Sequence, residues 1–198
     1  MKQYIEPHLE KGGVAILVSM DVHEAFDSAC WPAILERLRE AKCSRNLYYL
    51  VQDYLKERKA IITINNFNIG KNITIGCPEG SSISPLLWSI QYDPVLNLQF
   101  THHTRAVAFA DDLLLMIRAD SIREAENIAN VEMDKIATCA ENNKTKFNEE
   151  KSKVMLMTRR KRKEQKVAVY MNNKTILQVQ KLKYFGINLT TNYILENT

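Results

Sequence analysis

The sequence predicts an α+β protein built on one sheet with its helices on one face. Strand patterns and helical patterns alternate along the chain without the regular strand–helix–strand rhythm of a parallel sheet. A continuous apolar run at residues 14–20 is typical of a strand that is buried on both faces. With 198 residues and 45% hydrophobic content, the chain is long and apolar enough for one good-sized core.

Composition restricts the classes of protein to which the chain can belong. The net charge of +4 permits a nucleic-acid partner without demanding one. The four cysteines lie far apart, which favours buried thiols in a reducing compartment over a disulfide framework or a zinc site. No apolar run reaches membrane-spanning length, and the N-terminus lacks the apolar core of a signal peptide. We therefore expect an intracellular protein of the nucleus or the cytoplasm, with no membrane contact.

Local signals place two helices and a hairpin in the first half of the chain. Trp31–Pro32 begins one helix, because proline suits a first helical turn, and Ser44 caps a second. The second helix has an apolar stripe that we expect to be buried, formed by Leu47, Leu50, Val51, Tyr54 and Leu55. Residues 59–65 and 68–75 are predicted strands of a hairpin that turns at Asn66–Phe67.

The rest of the chain contains two further helices and several short strands. Ser84–Pro85 caps and begins one helix, and Ser121 and Glu124 form a capping box for the next. The strands predicted after that helix are 153–157, 167–170, 175–179 and 182–187. The basic run at 159–163 is a solvated hairpin tip, a phosphate-contacting segment or a nuclear-import segment, and the sequence leaves these alternatives open.

Two adjacent carboxylates, Asp111 and Asp112, follow Phe109–Ala110 between two apolar, β-prone runs. This pattern predicts a hairpin whose tight turn carries the acids, because aspartate tolerates unusual turn dihedrals. Side-by-side acids repel each other unless a cation lies between them, which is a first indication of a hard-metal site. An ordinary solvated turn explains this tetrapeptide alone equally well.

A third acid, Asp21, ends the apolar strand predicted at 14–20. If that strand lies beside the hairpin in one sheet, Asp21, Asp111 and Asp112 converge at one edge. Such an oxygen-rich site suits Mg²⁺, and no clustered cysteine or histidine competes for a softer metal. Separate surface acids would not explain why both acidic sites end apolar strands.

Five blocks of sequence follow one another in an order that is more specific than any single block: Ser19–Asp27, Pro78–Leu87, Phe109–Asp112, Phe147–Ser152 and Lys183–Gly186. Together they resemble the motifs of the reverse transcriptase domain of non-LTR (LINE-type) retrotransposons, from the first palm motif to the primer grip. The resemblance implies a polymerase palm-like antiparallel sheet with a partial fingers element. It assigns residues 1–42 and 77–190 to the palm and 43–76 to the fingers, with the N-terminal fingers and the thumb absent.

The resemblance also implies a catalytic centre of the RNA-directed DNA polymerase type. Asp21 and Asp111 would ligate two Mg²⁺ ions, for which Mn²⁺ can substitute, with Asp112 beside them and the Val22 carbonyl as a further ligand. A metal pair of this kind activates the primer 3′-hydroxyl and neutralises the triphosphate. Lys151 is either a group that protonates or stabilises the pyrophosphate or an ordinary surface lysine.

Other positions are assigned by the same resemblance to substrate binding. Those at the nucleotide are His23, Glu24, Ala25, Phe26, Glu79 and Gly80, and those of the primer grip are Tyr184, Phe185 and Gly186. The Phe26 ring would collide with a ribose 2′-hydroxyl, which discriminates more sharply than an apolar pocket. Glu79 stands where the family usually has glutamine, so nucleotide binding should weaken, and Glu24 adds negative charge beside the expected triphosphate.

The partners implied are an RNA template, a DNA primer and deoxynucleoside triphosphates, and a parent polyprotein with an endonuclease domain is compatible with them. The two glutamates and the short ends favour a second hypothesis, a truncated or decayed copy that is catalytically silent and binds nucleic acid or protein. A palm-type nucleotide cyclase also suits the metal chemistry, but its Gly-Gly-(Asp/Glu)-Glu-Phe turn is absent from the sequence.

Overall fold

The computed structural model of the chain describes residues 2–78, 80–159, 165–184 and 187–191. The chain forms two compact units. The first consists of Met1–His23, Val95–Asn142 and Lys146–Thr198, and the second of Glu24–Pro94 and Asn143–Thr145. The predicted fingers segment, residues 43–76, lies wholly within the second unit, and its boundaries stay a prediction.

Five helices and eleven strands are present in the described part of the chain. The helices are α1 (Lys2–Glu10), α2 (Trp31–Glu40), α3 (Arg45–Leu55), α4 (Ser84–Leu96) and α5 (Ile122–Asn142). The strands are β1 (Val14–Val22), β2 (Lys59–Ile64), β3 (Phe67–Asn72), β4 (Thr104–Phe109), β5 (Asp112–Ala119), β6 (Phe147–Thr158), β7 (Tyr170–Met171), β8 (Lys174–Thr175), β9 (Leu177–Gln178), β10 (Lys181–Tyr184) and β11 (Ile187–Thr190). None of these helices combines the length and the apolar composition that a membrane span requires.

A five-stranded sheet in the order β4-β5-β1-β6-β9 forms the first unit. At its centre, β1 pairs antiparallel with both β5 and β6, whereas the short pairing of β6 with β9 is parallel. The first five residues of β1, Val14 to Val18, are fully buried, as the continuous apolar run predicts for a strand covered on both faces. The predicted α+β class and the antiparallel character of the sheet are confirmed.

Helices cover both faces of this sheet, which corrects the expectation that they lie on one face. On one face lie α1 and the β10–β11 hairpin, and the core cluster there includes Ile5, Leu9, Leu17, Met116 and Leu182. Side chains alternate across a strand, so Ile16, Leu115 and Ile117 point to the opposite face, while α5 packs on β1 and β5. The sequence patterns did not indicate α1, since it contains Pro7, a residue type that usually interrupts a helix.

One side chain on the buried face of α5 is charged. Glu132 is fully buried, and its carboxylate accepts the Thr101 backbone N–H at 2.8 Å and pairs with Lys135 Nζ at 2.8 Å. Burial acts to raise the pKa of Glu132, but the bonds from Lys135 and Thr101 outweigh it and hold this pKa below its usual value. In its ionised form, Glu132 therefore fastens the loop at Thr101 to the helix.

The helices of the second unit begin where the sequence predicts. Proline lies in the first turn of α2, and Ser44 Oγ accepts the Leu47 N–H at the start of α3 at 3.4 Å. The cap predicted for α4 is wrong, because Ser84 is already the first residue of that helix and its hydroxyl donates to the Pro78 carbonyl at 2.8 Å. A serine followed by proline therefore marked the position of α4 without capping it.

The predicted buried stripe of α3 is wrong in part. Val51 and Leu55 are buried, whereas Leu47 and Leu50 are 45% and 63% exposed. Helical periodicity identifies an apolar face, but burial also requires another element to cover that face. Within the described part of the second unit, that cover extends over only part of the stripe.

The β2–β3 hairpin turns one residue earlier than predicted. Its turn residues are Asn65 and Asn66, with φ of 48° and 66°, rather than Asn66 and Phe67. Asparagine tolerates the left-handed dihedrals that a tight hairpin turn requires, and phenylalanine does not. Every residue of both strands is exposed.

The strands after α5 differ from the predicted ones mainly in length. Residues 167–170 yield only the start of β7, and residues 175–179 are divided between β8 and β9. The strand predicted at 182–187 corresponds to β10 and the first residue of β11. Of the basic run at 159–163, all but Arg159 lies outside the described residues.

Glu132→Ala tests the buried carboxylate of α5. We expect the free energy of unfolding at pH 7 to fall by about 1–3 kcal/mol, because the Thr101 N–H loses its acceptor, as measured by urea denaturation. Glu141→Ala, an exposed glutamate of the same helix, should change stability by less than about 0.5 kcal/mol.

The stabilisation by Glu132 should also depend on pH. A carboxyl group with a lowered pKa stabilises the fold at pH values above its unfolded-state pKa, and this stabilisation is lost as the pH falls through the lowered one. The difference between wild type and Glu132→Ala should therefore shrink in acid. A difference that stays constant from neutral to strongly acidic pH would contradict this assignment.

Candidate active site

Asp21 and Asp112 face each other across two paired strands. The pairing of β1 with β5 runs without interruption from Val14↔Ala119 to Asp21↔Asp112, so the acids occupy its last opposed positions. Opposed residues of antiparallel strands have Cβ atoms about 4.5–5.5 Å apart. The structure thus brings Asp21 to the Asp-Asp hairpin at one edge of the sheet, where the sequence places it.

A tight turn of two residues, Ala110 and Asp111, joins β4 to β5 and is closed by the Phe109↔Asp112 pair. The positive φ of this turn, 53°, belongs to Ala110, which corrects the expectation that an aspartate adopts the unusual dihedral. Glycine is usually favoured at such a position, so alanine here costs about 1–2 kcal/mol. The turn holds Asp111 directly beside the opposed pair.

The three carboxylates influence one another electrostatically. Burial raises the pKa of Asp112 above its usual value, and the charges of Asp111 and then of Asp21 raise it further. One oxygen of Asp21, Oδ2, is buried and accepts no hydrogen bond from the described residues. The Lys151 Nζ lies 3.5 Å from this oxygen, as an ion pair rather than a hydrogen bond. An electron-rich site of this kind suits a hard divalent cation.

Among the described residues, the acids at this edge of the sheet do not by themselves form a complete ligand set for a metal ion. In the part of the chain that the structure describes, no group of three or more histidine, cysteine, aspartate or glutamate side chains is arranged to hold a metal ion on its own. Mg²⁺ usually binds through one or two carboxylates together with water and substrate phosphates. The carboxylates of Asp21 and of the adjoining Asp111–Asp112 turn are compatible with that pattern, and the backbone of Val22 follows Asp21 on the same strand.

Two residues assigned to nucleotide binding, Phe26 and Gly80, line one cavity in the second unit. The cavity has a volume of about 290 Å³, and its other lining residues are Pro78, Ser81, Ser84 and Pro85. The Phe26 carbonyl accepts the Cys77 N–H at 2.7 Å, which ties the turn at Phe26 to the segment that leads to Gly80. Gly76 permits this approach, since a Cβ there would lie 2.8 Å from the Asp27 carbonyl oxygen.

The other nucleotide positions have different surroundings. Ala25 is buried, and Glu24 is exposed with a φ of 48°. His23, in the first unit, donates its backbone N–H to the Lys146 carbonyl at 2.8 Å. Glu79 lies outside the described residues, so the consequence of its charge stays a prediction.

Tyr54 and Arg58 adjoin the lining of this cavity, whereas the sequence pattern placed Tyr54 only on the apolar stripe of α3 and gave Arg58 no role. The Tyr54 hydroxyl lies 2.8 Å from Ser81 Oγ, and the Arg58 guanidinium lies 4.7 Å from the centre of the Tyr54 ring. Burial acts to raise the pKa of Tyr54, but hydrogen bonds from Ser81 and Arg58 outweigh it and lower this pKa. Nothing in the sequence signals this contact, because Tyr54 and Ser81 are 27 residues apart.

Tyr184, the first primer-grip residue, lies against the strand that leads to the acidic turn. Its hydroxyl donates to the Val107 carbonyl at 3.0 Å. Burial raises the pKa of Tyr184, and the charge of Asp112 adds to this effect. A groove of about 380 Å³ lies there, lined by Val107, Ala108, Phe109, Leu114, Met116, Tyr184, Ile187 and Leu189. The other two primer-grip residues, Phe185 and Gly186, lie outside the described residues.

The chain matches the family "Reverse transcriptase (RNA-dependent DNA polymerase)" over residues 2–189. It therefore belongs to the reverse transcriptase family. The resemblance to non-LTR retrotransposon enzymes is confirmed by the curated relatives, which come from mobile elements.

Two of these relatives are from Drosophila melanogaster. One is a putative 115 kDa protein in the type-1 retrotransposable element R1DM, 33% identical over 102 residues that make up 52% of this chain and 10% of that protein. The other is the RNA-directed DNA polymerase from mobile element jockey, 26% identical over 188 residues, which are 91% of this chain and 20% of that protein. The chain thus spans a tenth to a fifth of the length of these relatives.

Solved structures with a similar fold include telomerases of Candida tropicalis. The complex with a TWJ fragment of telomeric RNA gives a TM-score of 0.64 at 12% identity, covering 97% of this chain and 31% of that one. The apo enzyme truncated from its C-terminal domain gives a TM-score of 0.61 at 12% identity, covering 90% and 34%. This similarity shows that the chain and these telomerases share a fold.

Asp112→Asn should stabilise the metal-free protein. A raised carboxyl pKa means that the ionised form is disfavoured in the fold, so the amide removes a cost that is present at neutral pH. We expect the melting temperature to rise by about 1–4 °C at pH 7, since opposed like charges cost up to about 1 kcal/mol. The gain should fade as the pH falls through the pKa of Asp112 in the folded protein.

Calorimetry in the presence of a chelator measures this effect. Asp134→Asn, which removes an exposed charge from α5, is the matched control and should leave the melting temperature within about 1 °C. A decrease in melting temperature for Asp112→Asn at pH 7 would show that the Asp112 carboxylate stabilises the fold instead.

Proposed function

We propose that this chain is the palm portion of an RNA-directed DNA polymerase, which adds deoxynucleotides to a primer 3′-hydroxyl on an RNA template. The observation that carries the proposal is the opposed pair Asp21↔Asp112 at the end of the central strands, with Asp111 in the adjoining turn. Membership of the reverse transcriptase family supports it. The names of the mobile-element relatives support a retrotransposon origin.

Two Mg²⁺ ions, or Mn²⁺ in their place, are the proposed cofactors. Asp21 and Asp111 would hold them, with Asp112 beside them and the Val22 carbonyl as a further ligand. When bound, such a pair supplies activation of the primer hydroxyl and neutralisation of the charge on the triphosphate and the leaving pyrophosphate. The Asp21 Oδ2, which is buried and accepts no hydrogen bond within the described residues, and the raised pKa of Asp112 both favour a cation at this position.

Other residues of the chain would orient and select the substrates. In the second unit, the Phe26 ring and Gly80 line one cavity. A nucleotide bound there would place its sugar against the ring, which would clash with a 2′-hydroxyl. Lys151, near the acids, would supply positive charge or a proton to the pyrophosphate. Tyr184, anchored to Val107, would support the primer end.

A catalytically silent module that binds nucleic acid or protein is the second candidate. Glu24, which is exposed beside the turn of Phe26, favours it, because a carboxylate near a triphosphate weakens binding. RNA binding that depends on salt, without Mg²⁺-dependent nucleotide incorporation, would support this candidate against the first.

Asp111→Asn tests the polymerase proposal. Primer extension on an RNA template with Mg²⁺ should fall by at least about 100-fold, because an amide replaces a carboxylate that would hold the metal. The Asp134→Asn control should extend the primer at the wild-type rate. Extension by Asp111→Asn at the wild-type rate, in protein with an unchanged melting temperature, would rule the proposal out.

Phe26→Val tests the selection of the sugar. A smaller side chain removes the clash with a 2′-hydroxyl, so the preference for deoxynucleotides over ribonucleotides should fall by about 10- to 100-fold in kcat/KM. Phe67→Val, at the exposed start of β3, should leave this ratio unchanged. If Phe26→Val alters the two kcat/KM values equally, the ring has only a packing role.

A further inference from the structure

The pairing of β1 with β6 contains a large bulge next to Asp21. Ser19 pairs with Lys153 and Asp21 pairs with Asn148, so a single residue of β1 is opposed by residues 149–152 of β6. Extra residues on one strand bend it locally and redirect its side chains. Bulges are common beside active sites, and this one is opposed by Met20, the residue before a proposed metal ligand.

The side chain of Asn148 organises the bulge. Its Oδ1 accepts the backbone N–H of Glu150 at 3.1 Å and that of Lys151 at 3.2 Å. Ser152, which is fully buried, donates its hydroxyl to the Asn148 carbonyl at 2.6 Å. An asparagine that bonds to backbone groups two and three residues ahead folds a compact local turn. The backbone of Lys151 is therefore held by Asn148.

A second attachment fixes the outer part of the bulge. The carboxylate of Glu149 accepts a hydrogen bond from the Asn172 side chain at 2.8 Å. Asn172 and Asn173 form the turn between β7 and β8, with φ of 49° and 62°. The bulge is thus tied to a neighbouring hairpin as well as to itself.

This arrangement directs Lys151 to the acidic site. Its Nζ lies 3.5 Å from the Asp21 Oδ2, which is buried and accepts no hydrogen bond within the described residues. An ammonium group so placed compensates part of the negative charge that three carboxylates concentrate there. A divalent cation on this carboxylate would occupy the space next to the same oxygen and would repel the ammonium group.

We propose that Lys151 is a resident counter-ion of Asp21, held in place by the Asn148 turn, and that a divalent cation must displace it to bind. The inference rests on the proposed function, because the cation is the one assigned to these acids. The Lys151 side chain is 69% exposed, so its ion pair with Asp21 is weak. We therefore expect the lysine to reduce the affinity of a divalent cation for Asp21 only modestly. Displacement would leave the ammonium free beside the metal, where it can reach the pyrophosphate.

Mn²⁺ binding to the whole chain without nucleic acid tests the inference, because Mn²⁺ can be followed by electron paramagnetic resonance. In about 150 mM salt, which screens charges more than about 8 Å apart, Lys151→Met should bind Mn²⁺ about two- to fivefold more tightly than wild type. Lys153→Met is the matched control, since it removes the same charge from an exposed position of the same strand, opposite Ser19. It should change the dissociation constant by less than about 1.5-fold.

Variants of Asn148 test whether this residue acts through Lys151. Asn148→Ala should tighten Mn²⁺ binding in the same direction as Lys151→Met, and Asn148→Ser, which keeps a weaker acceptor, should have a smaller effect. In the Lys151→Met background, Asn148→Ala should cause no further change. This non-additivity distinguishes a positioning role from a general loosening of the strand.

The following results would overturn the inference or the proposed function on which it rests. If Lys151→Met binds Mn²⁺ no more tightly than Lys153→Met, Lys151 does not compete for Asp21. If Asn148→Ala has the same effect with and without Lys151, it does not position the lysine. A wild-type chain that binds no Mn²⁺ overturns the metal assignment of the proposed function itself, whereas binding abolished by Asp21→Asn but unchanged by Lys151→Met overturns the counter-ion role alone.

Discussion

The antiparallel pairing of β1 with β5 is the constraint on which the acidic site depends. Eight consecutive residue pairs, from Val14↔Ala119 to Asp21↔Asp112, fix the register of these strands. A slip of one residue would turn every side chain of β1 to the other face of the sheet. The buried Leu17 would then leave its core cluster, and Asp21 would turn away from Asp112. The apolar residues therefore determine where the acids lie, and they hold the acids together against their mutual repulsion.

The same apolar residues offset the local cost of the site. Opposed like charges cost about 0.2–1 kcal/mol, and the left-handed Ala110 costs about 1–2 kcal/mol more. Burying one large aliphatic side chain contributes about 1.5–3 kcal/mol. The fully buried examples on β1 and β5 include Ile16, Leu17, Leu113, Leu115 and Ile117. Two or three such residues suffice to hold the unfavourable acids in place, a balance that is common at functional sites.

Sequence patterns predicted the features that depend on local chemistry. The strand at 14–20, the helix at Trp31 and the capped start of α5 follow from apolar periodicity and caps, and the meeting of Asp21 with the hairpin follows from where the strands end. The exposure of Leu50 could not be predicted in this way, because periodicity does not report whether another element covers a helix face. The dihedral at Ala110 depends on cross-strand register, which a single strand does not encode.

The ion pair between Lys151 and Asp21 lies further beyond local patterns, because it needs a bulge that the side chain of Asn148 folds. Its physical character also differs from that of the acids. Asp21 and Asp112 belong to a continuous ladder held by the core, whereas the exposed Lys151 side chain is held beside Asp21 only by an ion pair, which is worth at most about 1 kcal/mol at a surface. The acids are consequently fixed and the lysine is movable at low cost. Rigid acids with a movable counter-charge beside them would suit the reversible binding of a cation that we propose for this site.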